Sequence, residues 1–257
     1  MMASNAGGDF SWHAPKVDRG TDVVAVLVGP DKTKFSLHKN LICACSPFFK
    51  RAFEGDFAEA KSQQMELPEE MPDLFKFLSE WLYMPSWRTT MPINLLGTGQ
   101  RKETFWISLY HMGDRLIIPG IRLLALKLFA ESFDSKVDNV PDSETIAYLS
   151  TPDKHQVFRD YIVRHVAWWI SSSGDWKKWT FSCKSGSWFS HDLAVELASR
   201  FRQGHRIQVP NHPCGFLDIV ASTGGIDMLK LKAEARAADT ETSGKSSASV
   251  GTFAAAW

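Results

Sequence analysis

Apolar and polar positions near the start of the chain follow the short period of β-strands. Val23 to Val28 is continuously apolar and rich in β-branched residues, and Phe35-Ser36-Leu37 alternates between apolar and polar. The turn residues Gly29-Pro30-Asp31 lie between these segments. The pattern predicts a buried strand and a second strand, joined as a β-hairpin.

Two short helices are predicted directly after the hairpin. Leu41, Ile42 and Cys45 share one helical face. Ser46-Pro47 then restarts a helix, with serine as the N-cap and proline at the first helical position. This second helix carries an apolar stripe, which consists of Phe48, Phe49, Ala52 and Phe53.

A third strand and three longer helices complete this first region. Alternation from Gln63 to Leu67 predicts the strand, which Pro68 ends. Apolar spacing predicts helices within 71–82, 103–114 and 119–133, of which the last is apolar almost all round. Between the first two of these helices, the segment from Met84 to Lys102 contains prolines and glycines and is predicted to be a long loop.

A second region is helical by its apolar period. Residues from Val157 to Ile170 predict one helix, which begins near Pro152, and apolar residues recur every four positions between Phe189 and Phe201. The sequence thus predicts a disordered arm at 1–20, a first domain at 21–133, a helical C-terminal region at 141–231 and a disordered tail at 232–257. Five tryptophans of the second region are interpreted as core residues or as an aromatic partner-binding surface: Trp168, Trp169, Trp176, Trp179 and Trp188.

Composition and charge narrow the classes of function. The chain has 257 residues, of which 44% are hydrophobic, and Lys plus Arg and Asp plus Glu both total 29. Without net charge there is no overall field to attract nucleic acid or an anionic membrane. The longest apolar run is too short to span a bilayer, and the first residues resemble neither a signal peptide nor a transit peptide. We therefore expect a cytoplasmic or nuclear protein with four reduced cysteines and no membrane partner.

Candidate catalytic and metal-binding patterns are weak. Gly97 to Lys102 lacks the spacing of a phosphate-binding loop, and no nucleophile accompanies Asp22 and His38. The chain has no paired Cys-x-x-Cys motif, which argues against a zinc site formed from Cys183, His191, His205, His212 and Cys214. We therefore expect no enzyme activity, no cofactor and no metal.

The order of predicted elements, with the short motifs that it contains, resembles the BTB/POZ fold over about residues 21–133. The motifs that occur in family order include Asp22, Leu37-His38-Lys39, Ser46-Pro47-Phe48-Phe49, Phe57-Ala58-Glu59-Ala60 and Glu66-Leu67-Pro68. The resemblance implies an α+β fold in which a small three-stranded sheet is flanked by a helical bundle, here followed by an all-helical region. The chain is most similar to single-domain BTB proteins of filamentous fungi, although its loop at 84–102 is longer than the usual turn.

The resemblance implies a protein–protein interaction module that binds another BTB chain or, as an adaptor, the cullin scaffold of a ubiquitin ligase. Phe57-Ala58-Glu59 matches the hydrophobic-x-acidic element with which some BTB adaptors contact a cullin. The expected partner-binding residues are Phe57 and Glu59, with Phe49 and Phe53, and the expected structural residues are Asp22 and His38. The chain is expected to be a monomer or a weak homodimer that associates through the helical face near 41–53. The alternative function is recruitment of partners in transcription, without direct DNA binding.

Overall fold

A small three-stranded sheet is followed by helices in this computed structural model, which describes residues 17–83, 102–134, 141, 143–173 and 187–202. The strands are β1 (Val23–Val28), β2 (Thr33–His38) and β3 (Gln64–Leu67). The helices are α1 (Lys39–Cys45), α2 (Pro47–Glu54), α3 (Ala58–Ser62), α4 (Pro72–Tyr83), α5 (Lys102–Arg115), α6 (Pro119–Asp134), α7 (Ser143–Tyr148), α8 (Pro152–Ser173) and α9 (Ser187–Arg202). The predicted fold class, a small sheet with helices followed by a helical region, is confirmed.

The sheet has the order β2-β1-β3, so the apolar strand β1 lies in the centre. It pairs antiparallel with β2 and parallel with β3. The hairpin turn contains Gly29 at φ 76° and Lys32 at φ 49°, and the Lys32 amide donates to the Gly29 carbonyl at 3.1 Å. Glycine adopts such a left-handed conformation without the steric cost of a side chain, which explains its place in this turn.

The start of α2 is capped as predicted. The Ser46 hydroxyl accepts a hydrogen bond from the Phe49 amide at 3.2 Å and donates one to the Leu116 carbonyl at 2.5 Å. Ser46 is completely buried. A single side chain therefore satisfies one free amide at the helix start and one carbonyl just beyond α5.

Ser46→Ala is expected to lower the free energy of unfolding by about 2 kcal/mol, because it leaves a buried amide and a buried carbonyl without this partner. The measurement is urea denaturation of the full chain. Ser79→Ala is the matched control, since the Ser79 hydroxyl only donates to the Lys76 carbonyl within α4. An equal loss in both variants would contradict the capping role.

The described residues divide into two compact units. The first contains 17–83 and 108–124, and the second contains 102–107, 125–134, 141, 143–173 and 187–202. Helices α5 and α6 thus contribute residues to both units. The break predicted near residues 134–141 lies inside the range of the second unit, and the domain limits given above stay a prediction.

The last residues of the predicted N-terminal arm contact α1 and α4. Residues 17–20 are described, and the Asn40 side-chain amide donates to the Asp18 carbonyl at 3.2 Å. The Arg19 guanidinium lies 5.4 Å from the centre of the Tyr83 ring. Residues 1–16 and the predicted tail lie outside the described residues.

The second unit is built around aromatic side chains of α6, α8 and α9. Phe129 and Phe158 are fully buried, with ring centres 4.8 Å apart. Arg159 is buried on α8, where it pairs with Asp192 at 3.0 Å and lies 4.1 Å from the Trp188 ring centre. The Trp188 indole N–H donates to the Ile146 carbonyl at 2.9 Å, so this tryptophan joins α7 to α9. Trp176 and Trp179 lie outside the described residues.

Candidate partner-binding surface

Phe57 lies on the surface of the first unit, between α2 and β3. Its side chain is 54% exposed, the highest value for any phenylalanine among the described residues. It occupies the N-cap position of α3, and its carbonyl accepts from the Ala60 amide at 3.2 Å. The short helix α3 was not predicted from the sequence.

The backbone on both sides of α3 is fixed by local contacts. The Gly55 amide donates to the Arg51 carbonyl at 3.0 Å, and a Cβ atom at Gly55 would collide with that carbonyl oxygen. At the other end, Gln63 adopts a left-handed conformation with φ 50°. Its side-chain amide donates to the Ala60 carbonyl at 2.5 Å and to the Phe53 carbonyl at 3.4 Å. Phe57 is therefore presented by an ordered segment.

Three carboxylates flank Phe57 along the chain. Glu54 and Asp56 are exposed and Glu59 is half-buried in the first turn of α3. None of the three forms an ion pair within the part of the chain that the structure describes. We call Glu54, Asp56, Phe57 and Glu59 the Phe57 surface. Its chemistry suits a partner with an apolar groove and a basic rim.

Phe49 and Phe53 do not belong to this surface, and their predicted role in partner binding is corrected here. They are 0% and 1% exposed, and their rings stack with centres 6.2 Å apart. The Phe49 ring also lies 6.4 Å from Phe75 of α4. Residues Leu41 and Ile42 of α1 are buried as well, so the apolar side of the helices at 41–53 packs into the protein's own core. Self-association through this segment stays a prediction.

Asp22 and His38 lie at the open end of the hairpin. The Asp22 carbonyl accepts from the Lys39 amide at 2.9 Å, which is a backbone contact, and its side chain is exposed. The Tyr83 phenol oxygen accepts from the His38 amide at 3.0 Å and lies 2.8 Å from His38 Nδ1. Tyr83 is 45 residues from His38, and no local pattern connects the two.

The buried cysteines are poorly suited to nucleophilic chemistry. Burial raises the pKa of the Cys43 thiol to about 11, and the nearby Glu54 carboxylate contributes to this rise. Burial also raises the pKa of Cys45, with a smaller contribution from Cys43. Both side chains therefore remain protonated thiols at neutral pH.

Metal and membrane chemistry can be assessed over the described ranges. Within them, no group of three or more His, Cys, Asp or Glu side chains is placed to hold a metal ion. Of the residues weighed above for zinc, only His191 is described, and its Nδ1 lies 3.1 Å from Asp192. The other four lie outside the described residues. The same ranges contain no helix with both the length and the apolar character to span a bilayer.

Comparison with known families identifies the first unit. Residues 17–102 match the family model of the BTB/POZ domain, and the described part of this match contains the whole sheet and helices α1 to α4. A BTB/POZ domain is a protein–protein interaction module and not a catalytic domain. The resemblance inferred from the order of short motifs is thereby confirmed, and residues 17–102 of the chain form a BTB/POZ domain.

Proposed function

We propose that this chain is a non-enzymatic adaptor whose BTB/POZ domain holds the N-terminal region of a cullin scaffold through the Phe57 surface. The observation that carries the proposal is the exposed aromatic ring of Phe57 on an ordered segment, flanked by carboxylates. An adaptor of this kind would link a second partner to a ubiquitin ligase.

The energetics favour Phe57 as the anchor of such a contact. An aromatic side chain buries about 150–250 Å² when it enters a groove, and central aromatic residues dominate many interfaces. Because Gly55 and Gln63 fix the flanking backbone, little conformational entropy is lost when the ring is bound. The carboxylates of Glu54, Asp56 and Glu59 would increase the rate of association with a basic rim.

The second unit would carry the partner that is brought to the scaffold. The exposed large apolar side chains among its described residues are Tyr148 on α7 and Val195 on α9. The buried Arg159 joins α8 to α9, because it pairs with Asp192 and contacts Trp188, and the Trp188 indole donates to the Ile146 carbonyl of α7. In this proposal the BTB/POZ domain selects the scaffold and the helical unit selects the cargo.

The test is binding of the full chain to a purified cullin N-terminal region by isothermal titration calorimetry. Phe57→Ala is expected to weaken binding about thirtyfold, equivalent to about 2 kcal/mol, with little change in thermal unfolding. Glu59→Lys should also weaken binding, through repulsion from a basic rim. Met71→Ala is the matched control, because Met71 is a similarly exposed apolar residue of the same unit.

Two results would reject the cullin contact. One is no detectable binding by the unmodified chain at high micromolar concentration. The other is equal binding by the Phe57→Ala and unmodified chains. Either result would leave a BTB/POZ module with other protein partners, and the alternative role in transcription would then be tested by recovering partners from nuclear extract.

A further inference from the structure

Helix α3, which follows Phe57, is held in place by little apolar packing. It has five residues, and none of them is buried. A helix of this length is not stable in isolation, because its first turn costs more conformational entropy than its few hydrogen bonds return. Polar contacts with neighbouring elements must therefore hold α3. Because Phe57 is the N-cap residue of α3, the same contacts determine where the Phe57 ring lies.

Gln63 connects α3 to the rest of the first unit. Its side-chain amide donates to the Ala60 carbonyl at 2.5 Å and to the Phe53 carbonyl at 3.4 Å. Its own carbonyl accepts from the Ala25 amide at 3.0 Å. A single residue thus joins α3 to α2 through its side chain, and to the central strand β1 through its backbone.

The backbone of Gln63 has a conformation that glycine would adopt more easily. Its φ is 50° at the C-cap of α3, and many helices end with a left-handed glycine. Glycine meets no steric cost in this region because it has no Cβ atom, whereas glutamine does. Glycine could make the same turn, but it could not bind the Ala60 and Phe53 carbonyls. The contacts of the glutamine side chain therefore offset a cost in backbone conformation.

We propose that Gln63 is a positioning residue for Phe57, whose side-chain amide holds α3 against α2 and so keeps the Phe57 ring where it meets a partner. The identity of that partner rests on the proposed function, but the hold on α3 can be measured without a partner. If the two contacts of the amide were lost, α3 would move more freely. The ring would then have to be ordered during binding, at a cost in affinity.

Gln63→Gly tests the hold on α3, because it keeps the left-handed turn and removes both side-chain contacts. In the full chain, hydrogen exchange of the backbone amides at 60–62 should become at least about tenfold faster, while the midpoint of thermal unfolding should change little. Binding to the purified cullin N-terminal region should weaken about fivefold, because the ordering of α3 then opposes association. Unchanged exchange at 60–62 would overturn the proposal.

Lys32→Gly is the matched control for the change in backbone. Lys32 also has a left-handed conformation, with φ 49°, but it lies in the hairpin turn and its side chain forms an exposed ion pair with Glu66. This substitution should leave both the exchange of α3 and the binding of the cullin region unchanged. Equal effects of the two glycine substitutions on α3 would show that the lost amide of Gln63 is not responsible, and would overturn the proposal.

Gln63→Glu tests the hydrogen bonds themselves. The side chain keeps its length, but a carboxylate cannot donate to the Ala60 and Phe53 carbonyls. Relative to the unmodified chain at the same pH, exchange at 60–62 should be at least about tenfold faster at about pH 7. The two rates should approach each other near about pH 4, where a protonated carboxyl group can donate again. A ratio that is the same at both pH values would overturn the role of Gln63 as a donor.

The binding and exchange measurements separate this inference from the proposed function. If the unmodified chain does not bind the cullin region, but exchange in α3 responds to the Gln63 substitutions as expected, the cullin contact is rejected and the hold on α3 is supported. If the unmodified chain binds the cullin region and both Gln63 variants bind it equally well, the proposed function is supported and the positioning role of Gln63 is overturned.

Discussion

Phe49→Ala is expected to lower the free energy of unfolding by about 3–5 kcal/mol, as for other phenylalanine truncations in well-packed cores. Phe49 is fully buried between Phe53 of its own helix and Phe75 of α4. Truncation removes contacts on both sides and leaves a cavity that the rigid neighbours fill poorly. Urea denaturation of the full chain, followed by circular dichroism, measures the change.

Phe57→Ala provides the comparison for this experiment. It is the same chemical change in the same unit, but Phe57 is 54% exposed, so the loss should stay below about 1 kcal/mol. Two similar losses would contradict the assignment of Phe49 to the core and Phe57 to the surface. Partner binding should be weakened more by Phe57→Ala than by Phe49→Ala, since only the Phe57 change removes the proposed anchor.

Arg115→Ala is the second substitution with a large expected effect. The Arg115 guanidinium donates two hydrogen bonds to the Glu70 carboxylate, both at 2.7 Å, and Glu70 is only 5% exposed. Without the guanidinium, a buried carboxylate loses the cation that compensates its charge, which should lower the free energy of unfolding by about 3 kcal/mol. The Arg115 side chain is half-exposed, so water screens part of its charge. The expected loss of stability is therefore at the lower end of the range for breaking a buried ion pair.

A double-mutant cycle separates the pair from the other contacts of Arg115. Glu70→Gln removes the charge at nearly constant volume, so the double variant Glu70→Gln with Arg115→Ala should lose less stability than the two single changes added together. Chemical denaturation of all four chains gives the coupling. Strict additivity would show that the two side chains stabilise the unit independently.

Elements formed by local patterns could be predicted from the sequence. The hairpin was predicted from the run Val23 to Val28 and its turn, and α2 from its Ser46 cap. In contrast, α3 and α7 have five and six residues, which is too short for an apolar period to be recognised. The parallel pairing of β1 with β3 joins residues about 40 positions apart and leaves no local signal.

At the candidate site, residue type alone does not distinguish buried from exposed side chains. Phe49, Phe53 and Phe57 are equally apolar in the sequence, and only the first two lie in the core. Their spacing of four within one amphipathic helix was a signal for the protein's own core, and Phe57 falls after Gly55, where that helix has ended. The contacts Tyr83–His38 and Arg115–Glu70 each span 45 residues and could be found only in the folded chain.

The assignment of residues 108–124 to the same unit as the sheet determines how the protein can be divided for experiments. The family match ends at residue 102, yet Arg115, which neutralises Glu70, and Leu116, whose carbonyl binds Ser46, both lie beyond it. A fragment cut at the end of the match would retain Glu70 and Ser46 without these partners and would lack the apolar side chains of α5. An isolated BTB/POZ fragment for expression should therefore extend at least through residue 124. If a shorter fragment failed to fold, the cause would be the loss of these contacts.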